Sequence, residues 1–236
     1  MLENCRLLKF SLLLCLPLSP ANAAFGFCFQ PNPTVSCEFL NSDAVFTGRV
    51  ISVRAISDGQ FTDGWYYRVQ VEKRFRGPRT PILEVYTGND SGRFPLQIGH
   101  EYLLFAQIYK GQLEIGNCGN SALLSAATNS VKQLEKLEIP KDAEIEGRIS
   151  FSGVPDSGTH IAGVGVIIHG ERKNYSVVTD RDGWFRLHVT PGKYSAEIQE
   201  ILHWNIAPYD LSIDNPSHFI AKQGRCIGLQ FVAADK

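Results

Sequence analysis

The 236-residue chain is short of long apolar runs: residues 10–18 supply about half of the roughly 20 residues a membrane-crossing helix needs, and nothing later is long enough either. No membrane span is expected. The chain also lacks an excess of either charge, with 23 Lys and Arg against 24 Asp and Glu for a formal net of −1, so no strong field draws it to nucleic acid or an anionic membrane. It has no His-Glu-x-x-His, no Gly-x-Ser-x-Gly and no Gly-x4-Gly-Lys-Ser/Thr, the spacings that assemble a zinc peptidase, a serine nucleophile or a phosphate cradle. Its six histidines, His100, His160, His169, His188, His203 and His218, are scattered. No two cysteines show the Cys-x2-4-Cys spacing usual in zinc sites, so no metal and no cofactor is expected. There is no internal repeat and no low-complexity tract.

What is present describes an exported globular chain. Residues 1–23 read as a signal peptide, with Arg6 and Lys9 ahead of the apolar stretch and Ser19-Pro20-Ala21-Asn22-Ala23 at the cleavage site, so a secreted or periplasmic protein beginning at Ala24 is expected. Cleavage removes Cys5 and Cys15 and leaves Cys28, Cys37, Cys118 and Cys226, an even number bound for an oxidising compartment, where disulfides are the default. Four cysteines allow three pairings. A hydrophobic content of 44% with 20% charge is enough for a real core in one or two domains.

Residues 44–53, 65–71, 82–86 and 102–108 alternate as half-buried strands do, with the turn-rich pieces Ser57-Asp58-Gly59, Arg76-Gly77-Pro78 and Gly88-Asn89-Asp90-Ser91-Gly92 between them. Residues 121–137 place Leu123, Ala127, Val131, Leu134 and Leu137 near helical spacing, which predicts one amphipathic helix. These strands and a late helix suit a five-stranded Greek-key barrel of the oligonucleotide/oligosaccharide-binding (OB) type over residues 24–138. Residues 139–144 are polar, contain Pro140 and read as a linker. Residues 145–236 hold short β-branched and aromatic runs between turn signals, which predicts an immunoglobulin-like β-sandwich of about seven strands and makes the whole chain all-β.

Within the second half, Thr179-Asp180-Arg181-Asp182-Gly183-Trp184-Phe185 followed by Thr190-Pro191-Gly192-Lys193-Tyr194 is the most specific signal. Asp-x-Asp-Gly makes a tight turn through side-chain caps and a glycine that tolerates positive φ. The pattern resembles the carboxypeptidase regulatory-like, transthyretin-like sandwich over roughly residues 145–199. The first half is similar to the netrin-like barrels of the tissue inhibitors of metalloproteinases. The matching pieces are Cys28 and Cys37 leading into Ser42-Asp43-Ala44-Val45-Phe46-Thr47-Gly48-Arg49-Val50, then Val71 to Gly77, Gly99-His100-Glu101-Tyr102-Leu103-Leu104-Phe105-Ala106, and Cys118-Gly119-Asn120-Ser121. That resemblance implies a Cys28–Cys118 disulfide and leaves Cys37 and Cys226 unassigned, either joined across the domains or free.

The resemblance also implies a metalloendopeptidase inhibitor, which grips zinc with the free α-amino group and carbonyl of an N-terminal cysteine. Here Gly26-Phe27-Cys28-Phe29 lacks the paired cysteine, and cleavage at Ala24 buries the Cys28 nitrogen in a peptide bond, whose resonance removes its lone pair. The expected function is therefore a non-enzymatic, exported, protein-binding protein with an unidentified exported partner, possible partners including a peptidase. Inhibition of a metalloendopeptidase and a structural role in an envelope or matrix are the alternatives. In Phe61-Thr62-Asp63-Gly64-Trp65-Tyr66-Tyr67, the residues Phe61, Trp65 and Tyr67 are the candidate binding anchors, since Trp and Tyr carry binding energy at low entropic cost. The competing reading places alternate residues of this segment in the barrel core.

Overall fold

The computed structural model describes residues 32–57, 59–151, 161–199, 203–209 and 214–235. The expected signal peptide and Cys28 lie outside the described residues. The chain is mostly strand, with two short helices among the described residues.

The first unit runs α1 (Val35–Asn41), β1 (Ala44–Ser57), β2 (Thr62–Arg76), β3 (Ile82–Gly88), β4 (Glu101–Tyr109), β5 (Gln112–Glu114), β6 (Ala122–Leu123) and α2 (Thr128–Leu134). Its sheet has the order β1-β2-β3-β5-β4-β6, and β1 also pairs with β4, so five strands close on themselves. Alternation along β1 and β4 explains what the ring encloses. Phe46, Tyr102, Leu104 and Ala106 point inward with Tyr67, Val69 and Val85, while Val45, Leu103 and Phe105 point outward under α1 and α2. The uninterrupted apolar run 102–106 is thus a strand buried on both faces.

The second unit runs β7 (Ala143–Phe151), β8 (Gly165–Gly170), β9 (Tyr175–Val178), β10 (Trp184–Val189), β11 (Gly192–Ile198), β12 (Trp204–Pro208), β13 (Phe219–Ala221) and β14 (Cys226–Asp235). Two four-stranded sheets, β10-β7-β14-β12 and β13-β11-β8-β9, share one core in which Ile145, Ile149, Phe185, Leu229 and Phe231 of the first meet Val166, Ile168, Tyr194 and Phe219 of the second. The turn signal before β10 behaves as its chemistry dictates. Asp180 Oδ1 accepts from the Asp182 and Trp184 N–H groups, each at 2.9 Å, and Gly183 sits at φ +74°.

Three expectations need correction. The single helix over 121–137 is only α2, because residues 122–123 pair with Leu103 and Tyr102 as β6, the Ser121 hydroxyl accepts from Phe105 N–H at 2.9 Å and Leu124 N–H donates to Glu101 C=O at 2.9 Å. The backbone groups on that side of β4 needed partners, and that demand outweighed the local helical spacing. The linker at 139–144 is shorter than expected: Ala143 and Glu144 are buried inside β7, and Glu144 N–H donates to Arg225 C=O at 2.9 Å. The sandwich has eight described strands rather than about seven, β12 and β13 lying where the sequence alternates too briefly to register.

Candidate functional site

β1 and β2 have 14 and 15 residues, well beyond the five or six typical of a strand. Only the first part of β1 is used to close the ring, since β4 covers Ala44 to Arg49 and then stops. A register shift between Val50 and Ser52 leaves Ile51 unpaired as a bulge, which bends β1 away from β4. Beyond it, residues 52–57 pair with β2 on one side, and no strand among the described residues pairs with the other. β1, β2 and β3 together form an arm with one open edge, and Ile51 and Val53 are exposed on it.

The cross-strand register sets which aromatic faces solvent. Arg54, Tyr66 and Tyr86 are aligned across β1, β2 and β3, so their side chains share the outer face. The Arg54 guanidinium lies 4.7 Å from the Tyr66 ring centroid, and the Tyr66 and Tyr86 rings are 5.3 Å apart. Tyr66 donates to Gln112 and Tyr86 donates to the Asp63 carbonyl at 3.1 Å, which fixes both rings. Burial, and then the Glu114 and Asp63 charges, push the Tyr86 phenol above its ordinary pKa. Arg54 makes no ion pair among the described residues, which leaves its charge available to a partner.

The three anchors expected from sequence divide. Phe61 stands near the arm's tip, 72% exposed. Trp65 is on the inner face, packed against the barrel core and covered by the Arg93 guanidinium at 3.7 Å. Tyr67 is in the core at 3% exposure, so it leaves the expected surface patch; its neighbour Tyr66, one residue away and therefore on the opposite face, takes the outward position. Three basic residues of β2 are engaged within the fold, with Lys73 paired to Glu135, Arg74 donating to Thr80 C=O at 2.7 Å, and Arg76 over the Phe39 ring at 5.7 Å.

A second concentration of polar groups lies between the two units. Helix α1 is capped by Thr34, whose hydroxyl accepts from Cys37 N–H at 3.3 Å and donates to Glu146 at 2.5 Å. Ser36 donates to Glu144 at 3.2 Å, and Arg186 lies 3.0 Å from Glu144 and 3.5 Å from Glu146. At the other end of α1, the Asn41 amide bonds both backbone groups of Cys226, and Cys37 and Cys226 are joined in a disulfide with Cα atoms 5.1 Å apart. Cys37, Cys226 and Glu146 converge as metal ligands would, but the two sulfurs are bonded to each other and offer no thiolate. Cys118 is also disulfide-bonded, and Cys28, its expected partner, lies outside the described residues. His169 and His188 fall in different sheets, His169 hydrogen-bonding Glu197 at 2.8 Å.

No helix among the described residues is long and apolar enough to cross a membrane. No family model matches the chain, and no curated protein does. Among solved structures the chain is similar to the major pilin protein T-13 of Streptococcus pyogenes, at 7% identity over 84% of this chain and 92% of that one, with a TM-score of 0.15 that carries no argument about fold or function.

Proposed function

We propose that the chain is an exported, non-enzymatic protein that binds another exported protein through the outer face of the β1–β2–β3 arm. The observation that carries this reading is the arm itself. A closed five-strand ring needs no strands of 14 and 15 residues, and the surplus presents exposed Phe61, a Tyr66–Tyr86 pair and an arginine stacked on it. Aromatic and arginine side chains on a rigid element are what interface anchors are made of. The ring order β1-β2-β3-β5-β4 supports an OB-type barrel of the inhibitor-like kind, and the capped Asp180 turn between β9 and β10 supports a regulatory-like, transthyretin-like sandwich. The three disulfide-bonded cysteines among the described residues, Cys37, Cys118 and Cys226, are in keeping with export.

The test is capture from the exported fraction on immobilised protein, comparing the wild type with Arg54→Glu/Tyr66→Ala and with Arg181→Glu, a change in an exposed turn of the sandwich. A partner lost with the arm variant and kept with the turn variant supports the reading; a partner retained by both rules out the arm. The alternative, a metalloendopeptidase inhibitor, requires a free α-amino group on Cys28. N-terminal sequencing followed by titration of a zinc endopeptidase separates the two, and a terminus at Cys28 with stoichiometric inhibition favours the inhibitor.

A further inference from the structure

The turns at one end of the sandwich enclose a cleft of about 460 Å3, between the β8–β9 turn and the β10–β11 turn. Its volume lies within the range of small-ligand sites, roughly 300–1,000 Å3, and exceeds what a bare inorganic anion fills. Three cationic side chains line it, Arg172, Lys173 and Lys193, against the single carboxylate of Glu171. None of the three cations has an acidic partner within salt-bridge distance among the described residues. Three hydroxyls line the same space, those of Tyr175, Thr190 and Tyr194.

These hydroxyls are held in place. Tyr194 OH donates to Thr190 C=O at 2.7 Å and lies 3.2 Å from the Thr190 hydroxyl, while Thr190 N–H reaches Tyr175 OH at 3.5 Å. The rings behind them continue into the core, Tyr175 against Tyr194 at 6.2 Å and Tyr194 stacked on Phe219 at 6.1 Å, so the cleft has a rigid aromatic wall. The Lys173 ammonium is fixed 4.7 Å from the Tyr175 ring. The Tyr175 phenol is held below its ordinary pKa, chiefly by its hydrogen bonding to Thr190 and further by the Lys173 charge, while burial pushes the Tyr194 phenol beside it up.

Positive charge attracts any anion; the ring of fixed hydroxyls narrows the class. We propose that this cleft binds a negatively charged saccharide, a sugar bearing a carboxylate or a sulfate ester. Tyr194 and Thr190 spend their O–H protons within this network, so the remaining lone pairs accept from the hydroxyls of a sugar ring, and the three cations match its acidic substituent. Acidic peptide motifs are recognised by clusters of arginines, and this lining holds one arginine, Arg172, beside two lysines and three hydroxyls.

The test is calorimetric titration of the full exported chain with five probes: a glucuronate-containing hexasaccharide, its sulfated counterpart, neutral maltohexaose, an octaglutamate peptide and inorganic sulfate. Both or one of the charged sugars is expected to bind at least about tenfold more tightly than the other three, and the better of the two identifies the acidic group. Lys173→Glu/Lys193→Glu should abolish this binding and Tyr175→Phe should weaken it severalfold, while Arg181→Glu, in the exposed turn before β10, leaves it unchanged. Circular-dichroism melting of each variant confirms that it is folded, and Tyr175→Phe, which keeps the ring, stands in if the charge reversals do not fold. The proposal is overturned if neither charged sugar binds, if maltohexaose or octaglutamate binds equally well, if inorganic sulfate competes at matched concentration, or if folded variants keep wild-type affinity. Because no residue of the arm lines the cleft, failure here is independent of whether the arm binds a protein.

Discussion

Glu38 is a carboxyl group with little water around it. It sits in α1 against the 118–120 loop, where Asn120 donates to it through both backbone N–H and side-chain amide, each at 2.6 Å. Those bonds favour the charged form, yet burial outweighs them and pushes the pKa from 4.5 up to about 7. In the unfolded chain the group titrates near its ordinary value. Between pH 4.5 and about 7 the folded state therefore keeps a proton that the unfolded state has lost, and stability falls as pH rises through that window. The shift corresponds to about 3 kcal/mol. Urea melts at pH 5 and pH 8 should show the wild type weaker at pH 8, and Glu38→Gln should remove much of that difference. A slope unchanged in the variant would assign it to Glu146 and Asp214, whose pKa values burial also raises. The binding patch shows what a single residue's position hides. The aromatic character of residues 61–67 is plain in the sequence, but whether Tyr66 or Tyr67 faces solvent depends on register with β1 and β3, which are fixed by residues far away in the chain.

At the scale of elements, α1 is a seven-residue helix that cannot stand by itself in water. It exists because its apolar residues Val35, Phe39 and Leu40 are buried against β4 and α2, and because β7 supplies carboxylates to its first turn. Glu144 and Glu146 are almost wholly buried there, and Arg186 is their cation. Arg186→Ala leaves two buried carboxylates facing each other and should cost about 2–3 kcal/mol at pH 8, less than a fully buried pair because Arg186 is half exposed. The cost should be smaller at pH 5 than at pH 8, because burial raises the Glu146 pKa and so favours its neutral form as the pH falls. An equal loss at both pH values in chemical denaturation would mean that Arg186 acts through packing instead. Such a helix leaves little trace in sequence, since seven residues hold fewer than two full periods. The opposite error, reading 121–137 as one long helix, has a related cause. Periodicity there is real, but hydrogen-bonding demand from β4 claims residues 122–123 for a strand. The strand-rich character was legible because it rests on alternation and turn chemistry, which are local, although the expected strands 44–53 and 65–71 fell short of β1 and β2.

At the scale of the whole molecule there are two cores and a seam. One core draws on residues 44–115, another on residues 143–233, and the third cluster joins α1, α2, β1 and β4 to Cys226. The Cys37–Cys226 disulfide crosses that seam with a sequence separation of 189. In the chain-entropy model a loop of this size is worth about 5 kcal/mol, which for a chain of this length corresponds to a fall of roughly 10–20 °C in melting temperature when it is removed. The effect should also have a shape. The disulfide, the Asn41 bonds to Cys226 and the Arg225 bonds to Leu40 and Asn41 carbonyls all fasten α1 to the start of β14, so the two cores are coupled mainly at this one place. Differential scanning calorimetry of the oxidised wild type should therefore give one transition, and Cys37→Ala/Cys226→Ala should give two at lower temperature, each carrying the enthalpy of one core. Hydrogen exchange on the variant should show faster exchange in α1 with β2 and β8 still protected. A single transition in the variant, shifted or not, would show that the Thr34–Glu146 and Ser36–Glu144 hydrogen bonds hold the units together without the covalent link.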